Sequence, residues 1–146
     1  MIPLSVLDLV SVREGSDASQ ALADTAAAAQ AAEQAGFKRY WTAEHHGAEG
    51  LAGAAVSVVL AHIGHATSTI RIGSGGIMLP NHNPFVIAEQ FGTLAALFPG
   101  RIDLGLGRAP GADSRIGNAL RKDLMQAAEN FPQDVVDLRA LLGPPQ

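Results

Sequence analysis

The sequence predicts an α/β fold made of parallel β/α units of the TIM-barrel type, about four of the eight units of a complete barrel. Four short apolar runs each end in glycine or polar residues and lead into a segment with helical patterning. This regular alternation favours a parallel sheet with helices packed on it. The strands are expected at residues 5–9, 37–43, 70–76 and 101–107.

The helical segments carry recognisable start and stop signals. The first is rich in alanine, follows Asp17 as an N-cap residue and ends at Gly36, where glycine is typical. The third begins with Asn83 as the N-cap and Pro84 at the first helical position. Within the last segment a break is expected at Pro132. The four helical segments are expected at residues 18–35, 54–66, 84–98 and from about 114 onward.

Composition and charge restrict the classes of function. With 47% hydrophobic and 16% charged residues among 146, the chain has the composition of a globular domain. Its net charge of −4 and its lack of a basic run argue against a nucleic-acid surface. No apolar run approaches the roughly 20 residues that cross a bilayer. The absence of cysteine and of a basic amino-terminal leader leads us to expect a cytoplasmic protein.

The number of predicted strands is itself informative. An open sheet of four parallel strands has two unpaired edges, and half a barrel leaves its interior side chains partly uncovered. We therefore expect residues 1–146 to be the N-terminal half of a (β/α)8 barrel domain, truncated from a longer protein. The alternative is a chain that covers this surface by self-association.

The segment Glu44-His45-His46 directly follows the second predicted strand. Ligands of such folds bind at the carboxyl ends of the strands, and a carboxylate beside imidazoles can supply a general base near neutral pH. The same residues are also candidates for metal ligands or for a solvated loop. Adjacent side chains of an extended segment point to opposite sides, so at most one histidine faces a given pocket. We predict no metal site.

Glycines mark the ends of the third and fourth predicted strands. Residues 73–76 (Gly-Ser-Gly-Gly) end the third, and Gly107 and Arg108 end the fourth. Glycine allows the backbone to approach a flat ligand closely. A bulge or a tight turn without a ligand explains the glycines of residues 73–76 equally well. Arg108 is a candidate contact for an anion or a flavin, with a surface salt bridge as the alternative. Asn81 and His82 are further candidate pocket residues.

Three segments of the chain, in this order and spacing, resemble the bacterial luciferase-like family of flavin-dependent monooxygenases. Within that family the closest resemblance is to the single-chain luciferase-family oxidoreductases. The similarity covers nearly all 146 residues. Its most specific segments are residues 40–46 (YWTAEHH), 73–84 (GSGGIMLPNHNP) and 99–108 (PGRIDLGLGR).

The resemblance implies a (β/α)8 barrel that binds reduced FMN at its C-terminal face. There the flavin reacts with O2, and the resulting peroxyflavin oxygenates a small organic substrate. By the same analogy His45 is the catalytic histidine, with Glu44 beside it, and the Gly75–Gly76 peptide bond is cis beneath the flavin ring. The cofactor-binding residues that the resemblance implies are Ser74, Gly75, Gly76, Gly107 and Arg108.

The resemblance also implies partners, and it leaves alternatives open. The helices that begin near Ala54 and at Pro84 match a dimer-forming pair, so a homodimer or higher oligomer is expected, with a flavin reductase as a further candidate partner. The usual phosphate site of a barrel follows strands seven and eight, so this chain alone is expected to bind FMN weakly or not at all. The alternatives are a non-catalytic half barrel that binds flavin or dimerises, and an oxidoreductase that uses a deazaflavin.

Overall fold

The computed structural model describes residues 2–109, 114–120 and 123–143. Its four strands form one fully parallel sheet in the order β1-β2-β3-β4, so each strand pairs with the next in the chain. This arrangement confirms the predicted α/β half barrel. The strands are β1 (Ser5–Asp8), β2 (Arg39–Thr42), β3 (Arg71–Met78) and β4 (Ile102–Gly107).

The helices follow the strands as the sequence predicts, and the caps have the expected geometry. The Oδ1 atom of Asp17 accepts a hydrogen bond from the backbone N–H of Gln20, and Asn83 caps the third helix through the N–H of Phe85. Gly36 has a φ of +80°, which glycine adopts without steric cost. The helices are α1 (Ala18–Gln34), α2 (Val56–Ala66), α3 (Pro84–Leu97), α4 (Ser114–Leu120) and α5 (Leu124–Leu142), with a short 3-10 helix at Leu79–Asn81.

The predicted break at Pro132 is wrong, because α5 continues through this residue. A proline inside a helix has no N–H for the carbonyl four residues earlier, which here belongs to Ala128. The Nε–H of Arg108 donates to that carbonyl oxygen at 3.2 Å. The hydrogen bond that the proline cannot make is therefore supplied from the end of β4.

The hydrophobic core lies between one face of the sheet and the helices. Helix α1 contributes small side chains, such as Ala29, and therefore packs closely, whereas α2 and α3 contribute larger ones. Among the residues that the structure describes, no helix is both long and apolar enough to cross a membrane. The core includes Val59, Leu60, Ile63, Ile72, Ile77, Ile87, Phe91 and Leu138.

The opposite face of the sheet, which we call the open face, is the one that would line the interior of a barrel. The strand register places Leu7, Trp41, Gly73 and Asp103 side by side on this face. Leu7 is 56% exposed there, in contrast to the fully buried Ile72 on the helix-facing side. The sheet thus separates a packed face from one that four strands alone leave uncovered.

Candidate active site

The residues that follow β2 remain hydrogen-bonded to both neighbouring strands. The N–H of Ala43 donates to the carbonyl of Asp8, and the N–H of Glu44 donates to the carbonyl of Gly76, each at 3.2 Å. Side chains alternate between the two faces along such a backbone. His45 consequently lies on the open face with Trp41, whereas Glu44 and His46 lie on the helix-facing side.

On the helix-facing side, Glu44, His46 and His82 form a cluster. The Glu44 side chain is buried, and its Oε1 atom lies 2.5 Å from Nε2 of His46 and 2.8 Å from Nε2 of His82. The backbone N–H of Met78 donates to Oε2 at 2.8 Å. Burial raises the pKa of Glu44, but the hydrogen bonds from His82 and His46 outweigh it, and the pKa lies below its ordinary value. The carboxylate is therefore ionised at neutral pH and accepts from both rings.

His82 is the member of this cluster that sequence reasoning did not place. It was a candidate pocket residue without an assigned partner, and the 3-10 helix after β3 brings it to Glu44. The signal in the sequence is residues 81–83 (Asn-His-Asn), in which capping explains Asn83 and leaves His82 unexplained. By contrast, the side chains of Glu44 and His45, predicted together as catalytic residues, are separated by the backbone of the strand end.

On the open face, the carboxyl ends of β3 and β4 form a surface almost without side chains, which we call the glycine strip (Gly75, Gly76, Gly105 and Gly107). The Gly75–Gly76 peptide bond is cis, as the resemblance implies. The register of β3 against β4 shifts between Ser74 and Ile77, at this bond. The strip borders Trp41 at Gly75, and the N–H of Glu44, the residue before the exposed His45, donates to the carbonyl of Gly76.

The space above the glycine strip differs from one residue to the next. A Cβ atom at Gly75 would lie 2.8 Å from Cδ1 of Leu7 and 3.1 Å from Cε3 of Trp41. A Cβ at Gly105 would overlap the carbonyl oxygen of Ser74. At Gly107 the nearest atom would be the Ile77 carbonyl oxygen, at an ordinary 3.7 Å. Gly105 is thus required by the sheet itself, whereas Gly107 borders open space.

Two predicted cofactor contacts have their side chains engaged within the chain. The hydroxyl of the buried Ser74 donates to the Gly105 carbonyl at 2.8 Å and accepts from the Gly105 N–H at 3.0 Å. Its side chain therefore holds β3 to β4, and a cofactor contact at this position would involve the backbone. Arg108 is exposed and donates to the Ala128 carbonyl of α5.

A charged cluster occupies the amino-terminal part of the open face. The Asp103 carboxylate pairs with the guanidinium of Arg71, accepts from Nε of Arg39 at 3.1 Å and accepts from Nε1 of Trp41 at 3.3 Å. Although burial raises the pKa of Asp103, the Arg71 hydrogen bonds together with Trp41 hold it below its ordinary value. This cluster occupies the amino-terminal part of the open face, whereas the glycine strip and His45 lie toward the carboxyl ends of the strands.

Comparison with known proteins connects this geometry to a family. The model of the luciferase-like monooxygenase family matches residues 2–131. A luciferase-like monooxygenase of Escherichia coli K12 is 53% identical over 137 residues, which are 94% of this chain and 41% of that protein. The N-acetyl-S-alkylcysteine monooxygenase of Bacillus subtilis 168 is 41% identical over 138 residues, which are 94% of this chain and 41% of that protein. The chain spans about two fifths of the length of these relatives.

Solved structures give the same result for the fold. The crystal structure of apo-MsnO8 matches with a TM-score of 0.91 and 38% identity, over 99% of this chain and 43% of that one. The oxygenating constituent of 3,6-diketocamphane monooxygenase from Pseudomonas putida, solved in complex with FMN, matches with a TM-score of 0.76 and 19% identity. This match covers 94% of this chain and 38% of that one. The family model covers most of the chain. The chain belongs to the luciferase-like monooxygenase family.

Proposed function

We propose that this chain supplies the flavin-facing half of an FMN-dependent monooxygenase, in which reduced FMN lies on the glycine strip beside His45. The observation that carries the proposal is the juxtaposition on one face: a surface without side chains next to an exposed histidine at the carboxyl end of β2. A flat ring system requires such a surface, and barrel enzymes place their chemistry at these strand ends.

The residues present fit a flavin. Beyond its chain neighbours, only one atom of the described residues comes within 4 Å of a Cβ position at Gly107, which leaves room for a planar ring against the backbone. Trp41 and Leu7 border the strip and can exclude water from one side of the ring. The Asp103 cluster lies farther down the open face and is satisfied within the chain.

Bound reduced flavin supplies the reaction with O2, and the protein supplies orientation, a dry site and proton control. In this proposal the imidazole of His45 exchanges a proton with the flavin or with the substrate, or stabilises a negative charge that develops there. Glu44 acts from the other side of the strand: its hydrogen bonds to His46, His82 and Met78 fix the strand end that carries His45. Its role is therefore positioning.

The partners of the activity belong to the same proposal. A small organic substrate and O2 would enter from the open face, with reduced flavin delivered by a reductase. A deazaflavin coenzyme is the alternative cofactor, because the glycine strip accepts either ring system. A second copy of the chain would pack on α2 and α3, where Val58, Val86 and Leu97 are 68%, 42% and 52% exposed. We place the protein in the cytoplasm, where reduced flavin is generated.

The test is a hybrid enzyme that contains the missing barrel half. The segment of this chain that matches the B. subtilis N-acetyl-S-alkylcysteine monooxygenase would replace its counterpart in that enzyme, with the junction placed after α5. Oxygenation of N-acetyl-S-alkylcysteine with reduced FMN would then be measured. We expect His45→Ala to lower kcat by about 100-fold or more, the range of a lost general acid or base, and to change the FMN Kd by less than about threefold.

His62→Ala is the matched control, since His62 is an exposed histidine on α2, away from the open face. It is expected to leave both quantities unchanged. Equal losses of turnover and FMN affinity in His45→Ala would contradict the assigned role, because they would show that His45 only helps to hold the flavin. Titration of the same hybrid with FMN and with a deazaflavin distinguishes the two cofactors.

A further inference from the structure

We propose that Glu44, His46 and His82 form a binding site for a divalent transition-metal ion of the Zn2+ or Co2+ type. One ligand atom from each residue, a carboxylate oxygen and two imidazole nitrogens, lies within 4.8 Å of the other two. The site is separate from the proposed flavin site, because it lies on the helix-facing side of the sheet and does not include His45. Its test therefore does not depend on the monooxygenase proposal.

The geometry of the three side chains is close to that of a coordination shell. The Nε2 atoms of His46 and His82, from the segments that follow β2 and the 3-10 helix, lie 2.5 and 2.8 Å from Oε1 of Glu44. Zn2+ binds nitrogen and oxygen at about 2.0–2.2 Å, so tetrahedral ligand atoms lie about 3.3 Å apart. Each Oε1–Nε2 distance would have to lengthen by less than about 1 Å to admit the ion. The His46 and His82 side chains are 22% and 29% exposed.

The surroundings of the carboxylate are those of a supported metal ligand. The N–H of Met78 donates to Oε2 at 2.8 Å, and hydrogen bonds of this kind orient the ligands in metal sites. Nε2 of His82 lies near both carboxylate oxygens, at 2.8 Å from Oε1 and 3.0 Å from Oε2. Glu44 is 2% exposed, and its negative charge requires a positive counterpart. A bound cation would replace the two ring protons that the carboxylate now accepts in hydrogen bonds.

The donor set and the access route define the class of ion. Two imidazoles and one carboxylate favour Zn2+, Co2+ or Ni2+ over Mg2+ and Ca2+, which prefer oxygen ligands alone. The cluster opens into a cleft whose walls include Ala55, Ser57 and Gln90. Three protein ligands leave a fourth tetrahedral position facing this cleft, where a water molecule would complete the shell.

The experiment is a titration of the 146-residue chain with Co2+, followed by visible absorption and by calorimetry. The protein is first treated with a chelator and carries no polyhistidine tag. We expect one Co2+ per chain, the intense absorption of a four- or five-coordinate ion, displacement by Zn2+, and no displacement by excess Mg2+. His46→Ala and His82→Ala are each expected to lower the Co2+ affinity at least about tenfold.

His45→Ala is the matched control, because it removes an imidazole from the same strand end but from the opposite face. It is expected to keep the wild-type Co2+ affinity and spectrum. A loss in His45→Ala equal to that in the other two variants would overturn the assignment. The unmodified chain gives a test that does not depend on the folding of any variant. If excess Co2+ produces no more than the weak spectrum of the hydrated ion, the site is refuted.

Discussion

Arg108 donates a hydrogen bond from Nε to the carbonyl oxygen of Ala128, at 3.2 Å, and this carbonyl is the one that Pro132 leaves without a helical donor. The interaction connects the end of β4 to α5 and allows the helix to pass through a proline. Arg108 therefore has a structural role within the chain that does not depend on any cofactor. The two residues should therefore be energetically coupled.

A double-mutant cycle measures this coupling. Arg108→Ala alone is expected to lower the free energy of unfolding by about 0.5–1 kcal/mol, the value of one hydrogen bond near the surface. Pro132→Ala restores an N–H to the Ala128 carbonyl and removes a helix-breaking residue, so we expect it to raise the free energy of unfolding by about 1–2 kcal/mol. In the Pro132→Ala background, Arg108→Ala should cost almost nothing, as measured by urea denaturation. Strict additivity of the two effects would contradict the coupling.

Glu33 at the end of α1 fixes the start of β3 and makes stability depend on pH. Its carboxylate accepts hydrogen bonds from the backbone N–H groups of Ser68, Thr69 and Ile70. Burial raises its pKa, but these backbone hydrogen bonds outweigh that effect and lower the pKa from 4.5 to about 2. A depressed pKa stabilises the folded state above the unfolded-state pKa, and this contribution is lost as pH falls from about 4.5 toward 2.

We therefore expect Glu33→Gln to lower the free energy of unfolding by about 1 kcal/mol at pH 7, after allowance for solvent screening. The difference from the unmodified chain should shrink steadily below pH 4.5. Glu14→Gln, at an exposed turn residue, is the control and should leave the curve unchanged. Denaturant unfolding at several pH values between 7 and 3 gives the comparison. A difference that stays constant with pH would show that Glu33 does not act through its charge.

Gly105 in β4 and Gly92 in α3 should respond oppositely to alanine. At Gly105 a Cβ atom would overlap the backbone carbonyl of Ser74, which can move only with the strand. We expect Gly105→Ala to cost at least about 2 kcal/mol of unfolding free energy, as other overpacked core sites do. Gly92 is exposed on α3, and outside its own helical turns no atom of the described residues lies within 4 Å of the Cβ position. Alanine there should stabilise the helix by about 0.5–1 kcal/mol. Thermal unfolding by circular dichroism distinguishes these cases, and destabilisation of Gly92→Ala would contradict the account.

The sequence was sufficient to predict the parallel β/α units and the helix caps, because each depends on a local pattern. Asp17, Gly36 and Asn83 act at the helix ends where their side chains or backbone conformations are required. The alternation of His45 and His46 about the strand followed from extended geometry alone. These features require no knowledge of distant contacts.

The features that sequence reasoning missed depend on contacts between distant residues. His82 meets Glu44 only because the 3-10 helix returns the chain toward β2, and no local pattern encodes that return. The continuity of α5 depends on Arg108, twenty residues before Ala128. The resemblance implies Ser74 as a cofactor contact, and its hydroxyl is hydrogen-bonded to the backbone of Gly105, an interaction between two strands that its local sequence does not encode.

The central claim is that a flavin ring lies on the glycine strip, and Gly107→Val tests it most directly. Among the described residues beyond its chain neighbours, only the Ile77 carbonyl oxygen, at 3.7 Å, comes within 4 Å of a Cβ atom at Gly107, so we expect the fold to tolerate the substitution. The measurement is the FMN Kd of the hybrid enzyme, by flavin fluorescence quenching, together with its melting temperature. We expect at least about a tenfold loss of FMN affinity, equivalent to about 1.4 kcal/mol, with the melting temperature almost unchanged. Unchanged FMN affinity in a folded Gly107→Val hybrid would show that the flavin does not lie on this face.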